Sequence, residues 1–106
     1  VSDVIVRDSV FTGKNQVGIL STTATAVEPN ARITIENSNI TAQEVGILFE
    51  NTTSSQVNNC QIRDVTGSEC ACGVGILLAG SRDYNPTAAS TVDALIANTV
   101  SNNGTG

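Results

Sequence analysis

The chain has 106 residues, 40% of them hydrophobic but only 3% aromatic, with ten acidic side chains against five basic ones and no histidine. A formal charge of −5 without a basic cluster leaves nothing to neutralise a run of phosphates, which argues against nucleic acid and against an anionic membrane surface. The lack of histidine removes the commonest zinc ligand and the commonest general base, and rules out Ser/His/Asp and Cys/His nucleophile systems built within this chain. The length suits one small domain or a fragment of something larger. No apolar run reaches the length of a membrane span, and Val1-Ser2-Asp3 has neither the basic nor the apolar region of a signal peptide, whose earlier removal stays open.

In chain order, Val4-Ile5-Val6-Arg7-Asp8-Ser9-Val10-Phe11 is the first predicted strand element, and Val17-Gly18-Ile19-Leu20 the second. After a linker from Ser21 to Arg32 both return, as Ile33-Thr34-Ile35-Glu36-Asn37-Ser38-Asn39-Ile40 and Val45-Gly46-Ile47-Leu48. A short linker, Glu50 to Ser54, leads to a weaker copy of the first element over Ser55 to Ile62, and then to Val74-Gly75-Ile76-Leu77. The longest linker, Ala79 to Val92, precedes a fourth copy, Asp93 to Val100, whose Leu95, Asn98 and Val100 align with Ile35, Ser38 and Ile40. The next Val-Gly-Ile-Leu is then due around Ser101 to Gly106.

The tetrapeptide recurs at intervals of 28 and 29 residues, a period that marks stacked repeats. Thirteen threonines, eleven asparagines and nine glycines make a poor helix, and no helical apolar stripe persists. The unit "apolar-x-apolar-x-x-Asn/Ser/Cys-x-apolar" followed by "Gly-Ile-Leu" resembles the right-handed parallel β-helix repeat of pectate-lyase-like proteins, phage tailspikes and surface adhesins, over residues 4 to 106. The resemblance implies an all-β, right-handed parallel β-helix (β-solenoid), here of about three to four coils, and the residues at either terminus offer no amphipathic pattern for a capping helix. It would be one domain, residues 1–106, with coils at about 1–30, 31–54, 55–91 and 92–106.

Period-two alternation puts Val17, Ile19 and Ser21, then Val45, Ile47 and Phe49, then Val74, Ile76 and Leu78 on the core face. Leu20, Leu48 and Leu77 then point outward beside Gly18, Gly46 and Gly75, as an external leucine ladder along a glycine strip. This ladder is the candidate interaction surface, with cover by another part of the parent chain as the alternative. Across repeats Arg7 is expected beside Glu36, and Ser9, Ser38, Cys60 and Asn98 at one bend.

Strand edges and a core cross-section are expected open at both ends, answered either by continuation in a longer β-helix or by copies stacking end to end. Cys60 with Cys70 or Cys72 is a candidate disulfide in an oxidising compartment, and Cys60 as a small reduced core residue is the alternative. Three Asn-x-Thr acceptor patterns, at Asn39, Asn51 and Asn103, are expected by chance in so Asn/Thr-rich a chain.

Catalysis is not expected. Asp8 and Asp64 fall in corresponding elements and Arg63 adjoins Asp64, but the Asn-Thr-Asp, paired Asp-Asp, Gly-His-Gly and Arg-Ile-Lys motifs of polygalacturonase-like enzymes are missing. So is the Asp-Pro-His-Glu motif of alginate epimerases, and a calcium role for Asp64 and Glu69 is given no more weight. The reading is a non-catalytic, extracellular or cell-surface structural unit without cofactor, metal, nucleic acid or membrane insertion. It would self-assemble end to end into a homo-oligomer or filament through strand edges, or form part of a longer stalk. The alternative is the scaffold of a polysaccharide-binding or polysaccharide-cleaving β-helix, with Arg82, Asp83 and Tyr84 on the long linker as the candidate glycan contacts.

Overall fold

Asp8, Asn37 and Asn59 recur at one place in the repeats because the backbone there turns through the left-handed region, which Asn and Asp enter more readily than other side chains. The computed structural model describes residues 1–13, 15–23, 28–67, 73–94 and 96–101, and those residues form strands and no helix. The first repeat gives β1 (Ser2–Arg7), β2 (Val10–Phe11) and β3 (Val17–Ser21), and the second gives β4 (Asn30–Glu36), β5 (Asn39–Thr41) and β6 (Val45–Glu50). The third gives β7 (Thr52–Thr53), β8 (Gln56–Asn58), β9 (Gln61–Val65) and β10 (Val74–Ala79), and the chain continues through β11 (Thr91–Ala94) to β12 (Ile96–Ser101).

Three sheets result, and each takes its strands from successive repeats: β1-β4-β7 with β8 also on β4, then β2-β5-β9-β11, then β3-β6-β10-β12. Every strand pair among the described residues is parallel. The expected alignment holds for the first two repeats: Val4 pairs with Ile33, Val6 with Ile35 and Arg7 with Glu36, whose side chains lie 3.9 Å apart. The three tetrapeptides stack in register, with Ile19 on Ile47 on Ile76 and Leu20 on Leu48 on Leu77.

Columns of left-handed residues mark the corners. Asp8, Asn37 and Asn59 (φ 52, 50 and 51°) turn the chain from the first sheet to the second, and Asn59 Nδ2 donates to Asn37 Oδ1 at 2.8 Å. Asp3, Arg32, Ser54 and Asp83 (φ 56 to 59°) form another column just after the stacked residues Ser2, Ala31, Thr53 and Arg82. Ser54 is thus the break between β7 and β8. Next to the first column runs a ladder of small polar residues. Ser9 N donates to Ser38 Oγ (3.3 Å) and Cys60 N to Ser90 Oγ (3.0 Å), while Ser38 Oγ returns to Glu36 O (2.9 Å).

The fourth member of that ladder is Ser90, not Asn98 as expected. β12 lies on the tetrapeptide sheet, with Ile96 opposite Val74 and Asn98 opposite Ile76. The segment read as a fourth copy of the first element therefore fills the place reserved for the next Val-Gly-Ile-Leu. The reason lies in the long linker, where Arg82 already supplies the first-sheet contact by pairing with Thr53, and β11 supplies the second.

The glycine strip also faces the other way from the expectation. A Cβ on Gly18 would lie 2.5 Å from Ile40 Cγ2 and 2.7 Å from the Gly46 carbonyl oxygen. One on Gly46 would lie 2.6 Å from both Ile62 Cγ2 and the Gly75 oxygen. These glycines are therefore the places where the tetrapeptide strand closes against the second sheet, and only a hydrogen fits there. Strict alternation fails at this corner, so Val17 and Val45 sit half-exposed at the margin while Ile47 and Phe49 are fully buried. The core gathers Ile33, Ile35, Ile40, Ile47, Phe49, Val57, Cys60, Ile62, Val65, Ile76 and Leu78 from all three sheets. Each fully buried Ile or Leu contributes about 1.5–3 kcal/mol.

Candidate interaction surface

Three surfaces follow from this arrangement. The leucine column lies on the outer side of the tetrapeptide sheet: Leu20 is 52% exposed, and Leu48 and Leu77 are half-buried. Beside it Thr22 Oγ1 donates to Glu50 Oε1 at 2.5 Å, continuing the cross-repeat pairing into polar territory. The column is narrower than expected, because the glycines beside it are turned inward.

The second surface is the set of open edges of β1, β2 and β3, each of which pairs on one side only among the described residues. The large exposed apolar residues concentrate here: Val4, Ile5, Val10 and Leu20, besides Val1. Between the edges an open cavity of ≈ 380 Å³ leads to the core, lined by Val4, Val6, Ile19, Leu20, Ile33 and Ile35 among others. Backbone groups of a parallel edge together with bare apolar side chains are what an added strand pairs with.

The third is the linker before β11. Arg82 is exposed, and its backbone is held in the first sheet, with Arg82 N donating to Thr52 O (3.1 Å) and Ser54 N to Arg82 O (3.0 Å). Tyr84, expected as a glycan contact, packs its ring 6.2 Å from that of Phe49 at 44° and joins the rim of the core. Burial, and secondarily the neighbouring Cys60, push its hydroxyl up to about 12. The ring that sequence reasoning offered to a sugar is thus half-buried against the protein's own core, as is Asp83, while Arg82 stays exposed. Asp83 holds a left-handed turn.

Cys60 is a free, buried thiol whose Sγ faces Asn58 O (3.4 Å) and Ile35 O (3.6 Å), and burial raises its pKa above the ordinary thiol value. It occupies a serine position in the ladder, the small-core-residue role left open by the sequence. Cys70 and Cys72 lie outside the described residues, as do Glu69 and Asn103.

Asp8 and Asp64, expected in corresponding elements, take different places in the fold. Asp8 belongs to the corner column with Asn37 and Asn59, whereas Asp64 is a left-handed residue within β9, so the two are not equivalent. β9 also carries an extra residue against β11: the register runs from Ile62–Val92 to Val65–Ala94, placing Arg63 and Asp64 opposite Asp93 alone. Arg63 turns to Gln61 Oε1. No group of three His, Cys, Asp or Glu able to hold a metal occurs among the described residues. Ser55 Oγ, buried without a hydrogen-bond partner, is a polar site that sequence reasoning missed and for which the pattern gave no signal. Comparison with family models, with curated proteins and with solved structures finds no match to this chain.

Proposed function

We propose that the chain is a structural, non-catalytic segment of a right-handed parallel β-solenoid of the pectate-lyase-like kind, working outside the cell. In this reading it either assembles end to end with further copies into a fibre or runs on within a longer stalk. The observation that supports it is the coincidence of unpaired parallel edges on β1, β2 and β3 with exposed Val4, Ile5 and Val10 at the same face. An added repeat would pair all three edges at once and cover the cavity between them, and parallel edges joined without closure propagate into fibres.

Light scattering and negative-stain electron microscopy of the purified chain test this. Uniform fibres are the expected result. Val10→Lys, which puts a charge on an exposed edge position, should shorten or abolish them while the circular dichroism stays that of folded β-structure. A folded, monodisperse monomer at all concentrations overturns the assembly model.

A further inference from the structure

Three Asn-x-Thr patterns stand in the sequence, and the fold treats the two described ones in opposite ways. Asn51 sits at a corner with a left-handed backbone (φ 50°), and its Nδ2 donates to Thr23 O at 2.8 Å. Its Oδ1 lies against Gly80 so closely that a Cβ there would be 2.6 Å away. Thr52, the middle residue of the pattern, is buried, with its hydroxyl bonded to the Ser21 and Glu50 carbonyls. A glycan placed on Asn51 before folding would therefore displace these contacts and keep the corner from closing.

Asn39 is the reverse. It is exposed on β5, on the outer side of the second sheet, because its neighbour Ile40 points to the core with 0% exposure. Its carboxamide has no partner among the described residues. In register it lies between Val10, 66% exposed, and Gln61, also exposed. A shallow cavity of ≈ 250 Å³ opens beside it, lined by Val10, Thr12, Thr41, Gln61 and Arg63 among others. The hydroxyl of Thr41, the third residue of the pattern, makes only a long 3.5 Å contact to Phe11 O.

We infer that Asn39 is an N-glycan acceptor and that Asn51 is not. The amide Nδ2 of Asn39 forms a bond to the anomeric carbon of an oligosaccharide carried on a lipid diphosphate. The anomeric C–O bond breaks, the lipid diphosphate leaves with its electron pair, and one amide proton is released. Transfer precedes the capture of β5 between β2 and β9, when the segment is still extended and accessible. The folded state then holds the first sugar over Val10 and the cavity beside it, covering an apolar residue the fold leaves bare. This rests on the extracellular reading above, since such donors meet chains that enter the secretory route.

The test is to secrete the full chain from a eukaryotic host behind a cleavable signal sequence and to map glycopeptides before and after peptide N-glycosidase. Forced secretion separates acceptor chemistry from native location, which is decided independently by locating the native protein inside or outside its cell. The expected result is a glycan at Asn39, lost completely in Asn39→Gln and in Thr41→Ala and retained in Asn51→Gln. An unmodified Asn39 in the secreted wild-type chain, or a glycan at Asn51 in a chain with native circular dichroism, overturns the inference.

Discussion

The first and second repeats carry nearly the same pattern and meet very different surroundings. Val4 aligns with Ile33, yet Val4 is 37% exposed and Ile33 only 5%. Ile19 aligns with Ile47, and Ile19 is half-buried where Ile47 is fully buried. The difference is not in the residues but in their neighbours. β4, β5 and β6 lie between strands on both sides, whereas β1, β2 and β3 have a partner on one side only among the described residues. A core position in this architecture is therefore made by the repeats above and below it, and the inward face of a strand alone does not confer it.

The largest expected effect tests this directly. Ile47→Ala should destabilise by about 2–5 kcal/mol, whereas Ile19→Ala should cost only about 1–2 kcal/mol, read from denaturant midpoints. Equal costs would break the comparison. Next, Gly46→Ala should cost about 1–3 kcal/mol, because the new Cβ meets the Ile62 side chain and the Gly75 carbonyl within the stack. Gly18→Ala meets equally close atoms but in an outer strand free to shift, so its cost should be the smaller of the two. If the order is reversed, relaxation at the open edge is not what separates the repeats.

Smaller again is the corner. Asn37→Ala should cost about 1–2 kcal/mol because alanine resists the left-handed backbone, and Asn37→Gly should recover most of it. The smallest effect belongs to the Asp3–Arg32 pair, 2.5 Å apart and fully exposed. The hydrogen bond and charge of Arg32 hold the Asp3 carboxyl below the ordinary 3.8. Its stabilisation is therefore present above that value and lost as the pH falls below it. Asp3→Asn should remove a slight loss of stability as the pH falls below that value, and a profile unchanged by the substitution would show that solvent screens the pair entirely.

Much of the strand register was legible in the sequence because Val-Gly-Ile-Leu is repeated without alteration, and identical side chains in successive parallel strands fix their own alignment. The Arg7–Glu36 pairing followed from the same alignment. The direction of the glycines was not legible, because its cause lies on other strands, at Ile40 and Ile62. The last strands were misaligned for a related reason. Arg82 and Ser90 do the work of a first element without its Val/Ile signature, so the apolar pattern of Asp93 to Val100 mimics an element that has already passed. Of the candidate surface, the leucine column was readable from periodicity. The role of Tyr84 was not, since its contact with Phe49 spans two repeats.

The all-parallel pairing has a kinetic consequence. Ser2 finds Ala31 and Asn39 finds Gln61, so among the described residues no two adjacent strands in a sheet are joined by a hairpin turn. Every ladder must wait for a loop of a whole repeat to close before its first hydrogen bond forms, and that entropy is spent before any contact rewards it. Once two repeats have met, the next finds a finished template with three edges in place. Folding of such a chain has one slow event, the meeting of the first pair, and thereafter proceeds by accretion.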